Sequence, residues 1–135
     1  MAPISKITAA ISGVIHVLFF VMESVLWLRP SVYEAFEVQS LADAEVLDVY
    51  VKNQGYYNLF LAMGVFAGVA LAGKWPTVGK TLLFYTSAFM IAAAIVLFFT
   101  IPEMIIGVFV QGLMPAITIA TLLLFGRNVA AADET

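Results

Sequence analysis

The chain has 135 residues, 63% of them hydrophobic and only 11% charged, with a formal net charge of −3 and a mean hydropathy of +1.03. A soluble domain ordinarily carries about 25% charged residues, and a small one cannot hide this much apolar surface, so lipid is the expected solvent. The absence of cysteine excludes disulfides, thiolate metal sites, thiol nucleophiles and covalent haem attachment, and the length suits one domain, residues 1–135.

Four apolar stretches follow one another: Ile7 to Leu28, Tyr57 to Ala72, Leu82 to Ile101 and Ile105 to Phe125. A helix crosses the hydrocarbon core with about 20 largely apolar residues. The expected helices are therefore 5–28, 44–73, 78–101 and 104–126, an all-α integral membrane four-helix bundle. The first stretch is expected to be a retained helix and not a signal peptide. Only Lys6 precedes it, and no small-x-small pattern follows it. Trp27, Arg29 and Pro30 have the character of an interfacial anchor followed by a helix stop. Along this helix Ser12, His16, Glu23 and Trp27 fall within roughly 60° of one another at 100° per residue, forming one polar stripe.

Glu34, Glu37, Asp43, Glu45 and Asp48 then make an acidic connection, read as a solvated surface. The second stretch is short, so its helix is expected to begin in the Ala44–Gln54 region and project from the bilayer. Asn53, Gln54, Tyr57 and Asn58 lie within an arc of roughly 140° there. On the third helix Thr81, Tyr85, Ala88 and Ala92 form the expected small-residue packing face. Gly107, Gln111, Pro115 and Thr118 share a face of the fourth. Trp27, Trp75 and Tyr56 are read as interface anchors.

Basic residues set the orientation. Lys6, Lys74, Lys80 and Arg127 flank one side, with Arg29 the exception, so both termini are expected in the cytoplasm. Glu23, Asn58 and Gln111 then share the outer half of the bilayer, with Asn53 and Gln54 near its outer surface. An ionisable group at mid-bilayer costs about 2.5–3.5 kcal/mol and usually faces the bundle interior. Glu23 has no lysine or arginine at its own depth, so its expected partners are Asn58, Gln111, His16 or water. The candidate ligand-binding set is His16, Glu23, Trp27, Asn53, Gln54, Tyr57, Asn58 and Gln111, around a polar pocket in the outer half.

No phosphate loop, nucleophile elbow, zincin helix or dinucleotide fingerprint is present. One histidine without cysteine makes no ordinary metal or haem site, so neither metal nor cofactor is expected. No basic patch suits nucleic acid. His16 seven residues before Glu23, then Trp27 and Pro30, then Asn53-Gln54-Gly55 with Tyr57-Asn58, resembles the small bacterial membrane family catalogued as domain of unknown function 1304. The resemblance covers nearly the whole chain. It implies four membrane helices in a bacterial inner membrane and no assigned activity.

Three functions fit these residues. The first is binding or carriage of a small amphiphile or lipid-like molecule in the outer pocket. The second is a small membrane enzyme using Glu23 and His16 as an acid–base pair, for example in an isomerisation. The third is an accessory subunit of a larger membrane complex, or a homo-oligomer, in which the polar stripe joins helices. Binding is preferred, because amides outnumber titratable groups in the pocket.

Overall fold

A computed structural model describes the backbone of residues 1–130 and the side chains of residues 1–125. Among the described residues there are five α-helices and no strand: α1 Pro3–Phe20, α2 Pro30–Tyr33, α3 Leu41–Leu71, α4 Pro76–Thr100 and α5 Ile105–Ala130. α1 continues as a π-helical turn, Val21–Val25. With that turn included, α1, α3, α4 and α5 are each long and apolar enough to cross a membrane. Proline opens α1, α2 and α4, where its fixed φ suits the first turn and its missing N–H costs nothing. α3 begins at Leu41, ahead of the Ala44–Gln54 region expected from the length a span needs, because Ser40 caps it. Ser40 Oγ accepts from the Asp43 amide at 3.1 Å and donates to the Asp43 carboxylate at 2.6 Å.

α1 packs against α3 and α5, and α4 packs against the same two helices. The four long helices therefore form a square in which chain neighbours run antiparallel. Ala9, Val65, Leu83 and Met90 fill its centre. Close approach depends on small residues, as in lipid-embedded helix pairs. A Cβ on Gly79 would stand 2.6 Å from Ala72 Cα, and one on Gly68 would meet the Leu83 side chain at 2.8 Å. The packing face of α4 is Gly79, Leu83, Thr86, Ser87, Met90 and Ala94. This corrects the expectation of Thr81, Tyr85, Ala88 and Ala92: Thr81, Tyr85 and Ala92 are exposed. Those residues share a face, but Gly79 at the α3 junction fixes the rotation of α4 and turns them outward.

At one end of the square, residues 26–40 fold into a small cap. Trp27, Val32 and Tyr33 pack on Ala44 of α3, with Met22, Leu26, Phe36, Val38 and Val51 around them. Trp27 is only 2% exposed and its indole Nε1 donates to the Ala44 carbonyl at 2.8 Å. It is a core residue of the cap and not an interface anchor; Trp75 and Tyr56 are exposed. α3 supplies the cap's floor because its 31 residues extend about 46 Å, well beyond a hydrocarbon core of about 30 Å. Lys52 also belongs to this end, in an i,i+4 ion pair with Asp48 at 2.7 Å. It is a second basic exception beside Arg29. The opposite end of the square carries Lys6, Lys74 and Lys80 and no acidic side chain among the described residues.

The α3–α4 junction is the tightest of these contacts. Gly79→Ala is expected to lose about 1–3 kcal/mol through overpacking against the Ala72 backbone. Gly73→Ala has open space around it and no positive φ, and should be neutral or gain about 0.4–1 kcal/mol. Denaturation in mixed micelles, followed by helical circular dichroism, measures both.

Candidate functional site: a buried carboxyl on a π turn

The site is built where α1 changes its winding. The Leu26 amide donates to the Val21 carbonyl at 3.0 Å, five residues back, which is the π pattern; such turns are rare and frequent at functional sites. Glu23 lies within this turn. Opposite it, Gly55 of α3 leaves the room the turn occupies. A Cβ there would overlap Ser24 Oγ and stand 3.0 Å from Glu23 Cβ and 3.2 Å from the Ser24 amide nitrogen. Ser24 Oγ donates to the Lys52 carbonyl at 2.9 Å, fixing the turn to α3 from above. One turn below Gly55, Asn58 Nδ2 donates to Glu23 Oε2 at 2.7 Å. Both residues are 6% exposed.

A buried carboxyl ordinarily has a cation beside it. Among the described residues Glu23 has none: the ion pair present is Lys52 with Asp48, and Arg29 is exposed in the cap. The amide of Asn58 engages one oxygen of the carboxyl. Glu23 Oε1 makes no hydrogen bond within the described protein, so it keeps its capacity to meet a proton or a ligand group.

His16 is buried on the same face of α1. Its Nδ1 lies 2.9 Å from the Ser12 carbonyl, and since a carbonyl only accepts, Nδ1 carries the proton. In the neutral ring Nε2 is then an acceptor. The ring also meets Phe19 edge-on at 5.7 Å. No bond joins His16 and Glu23, which stand about two turns apart.

The other candidates are placed as follows. Trp27 closes the cap above the turn. Asn53, Gln54 and Tyr57 are exposed on α3, because Gly55 and Asn58 take the face toward α1 and turn them away from it. Gln111 is half-buried on α5, on the face where Thr118 Oγ1 donates to Thr8 Oγ1 at 2.8 Å. α5 packs chiefly on α1 and α4, and no hydrogen bond links Gln111 to Glu23 or Asn58 among the described residues. The structure thus joins Glu23 to Asn58 and leaves Asn53, Gln54, Tyr57 and Gln111 outside that contact. Two cavities are prominent, and Glu23 and Asn58 line neither. One is an apolar groove of about 380 Å³ between α4 and α5, and the other, of about 220 Å³, lies at the basic end. Among the described residues no cluster of three His, Asp or Glu side chains is placed to hold a metal ion.

Gly55 and Ser24 are positioning residues that the sequence reading passed over. A signal existed, since a glycine inside a helix costs about 1 kcal/mol relative to alanine and asks for a reason.

One protein family, described as a protein of unknown function (DUF1304), matches residues 10–123, a span that contains the π turn, Gly55, Asn58 and Gln111. No curated protein and no solved structure matches the chain.

Gly55→Ala should displace the π turn from α3 and cost about 1–3 kcal/mol. In a double-mutant cycle, Glu23→Ala and Asn58→Ala are expected to couple by about 1–2 kcal/mol, the range for interhelical polar contacts in model membrane helices. Unfolding of the four proteins in mixed micelles gives that coupling; additive losses would show that the 2.7 Å bond contributes nothing of its own.

Proposed function

Because the chain belongs to the DUF1304 family, whose description assigns no activity, we propose its function from geometry: a multi-pass membrane protein that binds a small amphiphile by its polar head at Glu23 and Asn58. Basic residues favour the cytoplasmic side, so the end carrying Lys6, Lys74, Lys80 and Arg127 faces the cytoplasm. The cap, the Glu23–Asn58 pair and the acidic connection then face outward. In a bacterium this is the cytoplasmic membrane.

The observation that carries the reading is the Asn58 Nδ2 to Glu23 Oε2 hydrogen bond, buried and without a counter-cation among the described residues. A lone charge among lipid-facing helices is costly. A carboxyl in this position is completed by a proton or by a positively charged or hydrogen-bond-donating group of a ligand. The second carboxyl oxygen supplies that contact, and the π turn holds it in place without using either oxygen for its own backbone. The ligand's apolar part rests in lipid, and Asn53, Gln54 and Tyr57, exposed and turned away from the face toward α1, lie outside this contact. The acid–base enzyme reading has less support, since His16 engages Ser12 and does not reach Glu23.

One observation favours a second reading, an accessory subunit. Val46, Val49 and Tyr50 lie on one face of the projecting part of α3 and are each about 75% exposed. A partner polypeptide would cover them.

Native mass spectrometry of the chain released gently from its own membrane, beside Glu23→Gln, tests the choice. A discrete small mass on the wild type, reduced at least about tenfold in the variant, is the expected result, because a charge-assisted contact is worth about 1.5–3 kcal/mol. A bare wild-type chain overturns ligand binding, and a chain carrying only another polypeptide moves the assignment to the accessory reading.

A further inference from the structure

The basic end of the bundle has its own cavity, independent of the Glu23 site. It holds about 220 Å³ and is lined by Met1, Ala2, Ser5, Lys80, Thr121, Leu122 and Phe125. A single water needs about 10–15 Å³ and a drug-sized ligand about 300 Å³ or more. The space suits one compact polar group with an apolar neighbour.

Its chemistry is directional. Ser5 is fully buried, and its Oγ has no hydrogen-bond partner among the described residues. A buried hydroxyl in that state costs about 1–3 kcal/mol, unlike every other buried hydroxyl on α1. Thr8 Oγ1 donates to the Ile4 carbonyl at 3.0 Å, and Ser12 Oγ contacts Met90 Sδ at 3.3 Å. Lys80, half-buried across the cavity, forms no ion pair among the described residues. The cavity opens at the N-terminal end of α1, where the helix dipole is positive, and no side chain caps that terminus. Thr121 Oγ1 is committed to the Thr118 carbonyl at 3.0 Å. Lys74 is engaged elsewhere, its Nζ 4.7 Å from the centre of the Trp75 ring. Among the described residues, a hydroxyl without a partner, an ammonium without an ion pair and a positive helix end border this one cavity, with no carboxylate among its lining residues.

We propose that this cavity binds a negatively charged phosphate group, with Ser5 Oγ donating a hydrogen bond and Lys80 Nζ supplying the charge. Leu122 and Phe125 form the apolar wall beside it. A phospholipid headgroup and free inorganic phosphate share this chemistry, and the experiment separates them.

The full chain is purified in detergent, stripped of lipid, and offered dioleoylphosphatidylglycerol, dioleoylphosphatidylcholine or inorganic phosphate. Lipid adducts are read by native mass spectrometry and phosphate binding by thermal shift. The variants are Ser5→Ala, Lys80→Met, Lys80→Arg and Lys74→Met, each checked for helical content. Preference for the anionic over the zwitterionic lipid is expected, falling about tenfold in Lys80→Met, weakened in Ser5→Ala, and kept in Lys80→Arg and Lys74→Met. That pattern assigns the site to a lipid headgroup. The same dependence on Ser5 and Lys80 seen only in the thermal shift with inorganic phosphate assigns it to the free anion. Three results overturn the proposal: equal retention of both lipids with no effect of phosphate, a Lys74→Met loss as large as that of Lys80→Met, or Ser5→Ala and Lys80→Met binding as wild type does.

Discussion

The contact between the π turn of α1 and Gly55 of α3 sets the rest of the cap end. A regular α-helix through Val21–Val25 would carry Glu23 and Ser24 to other angles, and any side chain at position 55 would hold the two helices apart. The turn brings Glu23 to Asn58 and Ser24 to the Lys52 carbonyl. Once the two helices are fixed at this height, the chain leaving Val25 falls across α3, where Trp27 finds the Ala44 carbonyl. The cap is a consequence of that crossing, and α3 must start as early as Leu41 to provide its floor.

α1 is organised inside out compared with a helix of a soluble domain. Ile4, Ile7, Ile11, Val14 and Leu18 are exposed, while Ser5, Thr8, Ser12, His16 and Glu23 are buried. Such an exposed face suits a helix long and apolar enough to cross a membrane, and the buried face must satisfy its polar atoms within the protein. Most of it does so with small local bonds: Thr8 with Ile4 and Thr118, Ser12 with Met90, His16 with the Ser12 carbonyl. Two groups depart from that economy, the Ser5 hydroxyl with no partner and the Glu23 carboxyl with an amide but no cation. They sit at opposite ends of the same face.

The four long helices were legible from hydropathy because length and apolar content are the same quantities that mark a helix able to cross a membrane. The polar stripe of α1 was legible from 100° periodicity, since a polar residue on an otherwise apolar helix has few places to point. Rotation of the other helices was harder to read. Thr81, Tyr85, Ala88 and Ala92 share a face as surely as Gly79, Leu83, Thr86 and Met90 do, and composition does not tell which face meets α3. The contact at Gly79 decides it. The string from Asn53 to Asn58 was read as a shared polar surface, whereas only Gly55 and Asn58 turn inward. The π turn has no sequence period of its own, so the shift it introduces after Val21 was invisible. Trp27 read as an anchor because its partner, a backbone carbonyl on a distant helix, leaves no mark in the side-chain pattern.

The polar face of α1 raises the question of passage from one end to the other. Between Ser5 and Glu23 the interior is closed by packed side chains: Ala9, Val65, Leu83 and Met90 fill the centre. Ser12 Oγ meets Met90 Sδ, Thr118 Oγ1 donates to Thr8 Oγ1, and Thr86 Oγ1 donates to the Leu82 carbonyl. Of the buried polar groups on this face, Thr8, Ser12 and His16 in the middle bond locally. Among the described residues, the Ser5 hydroxyl without a partner and the Glu23 carboxyl without a cation lie towards its two ends.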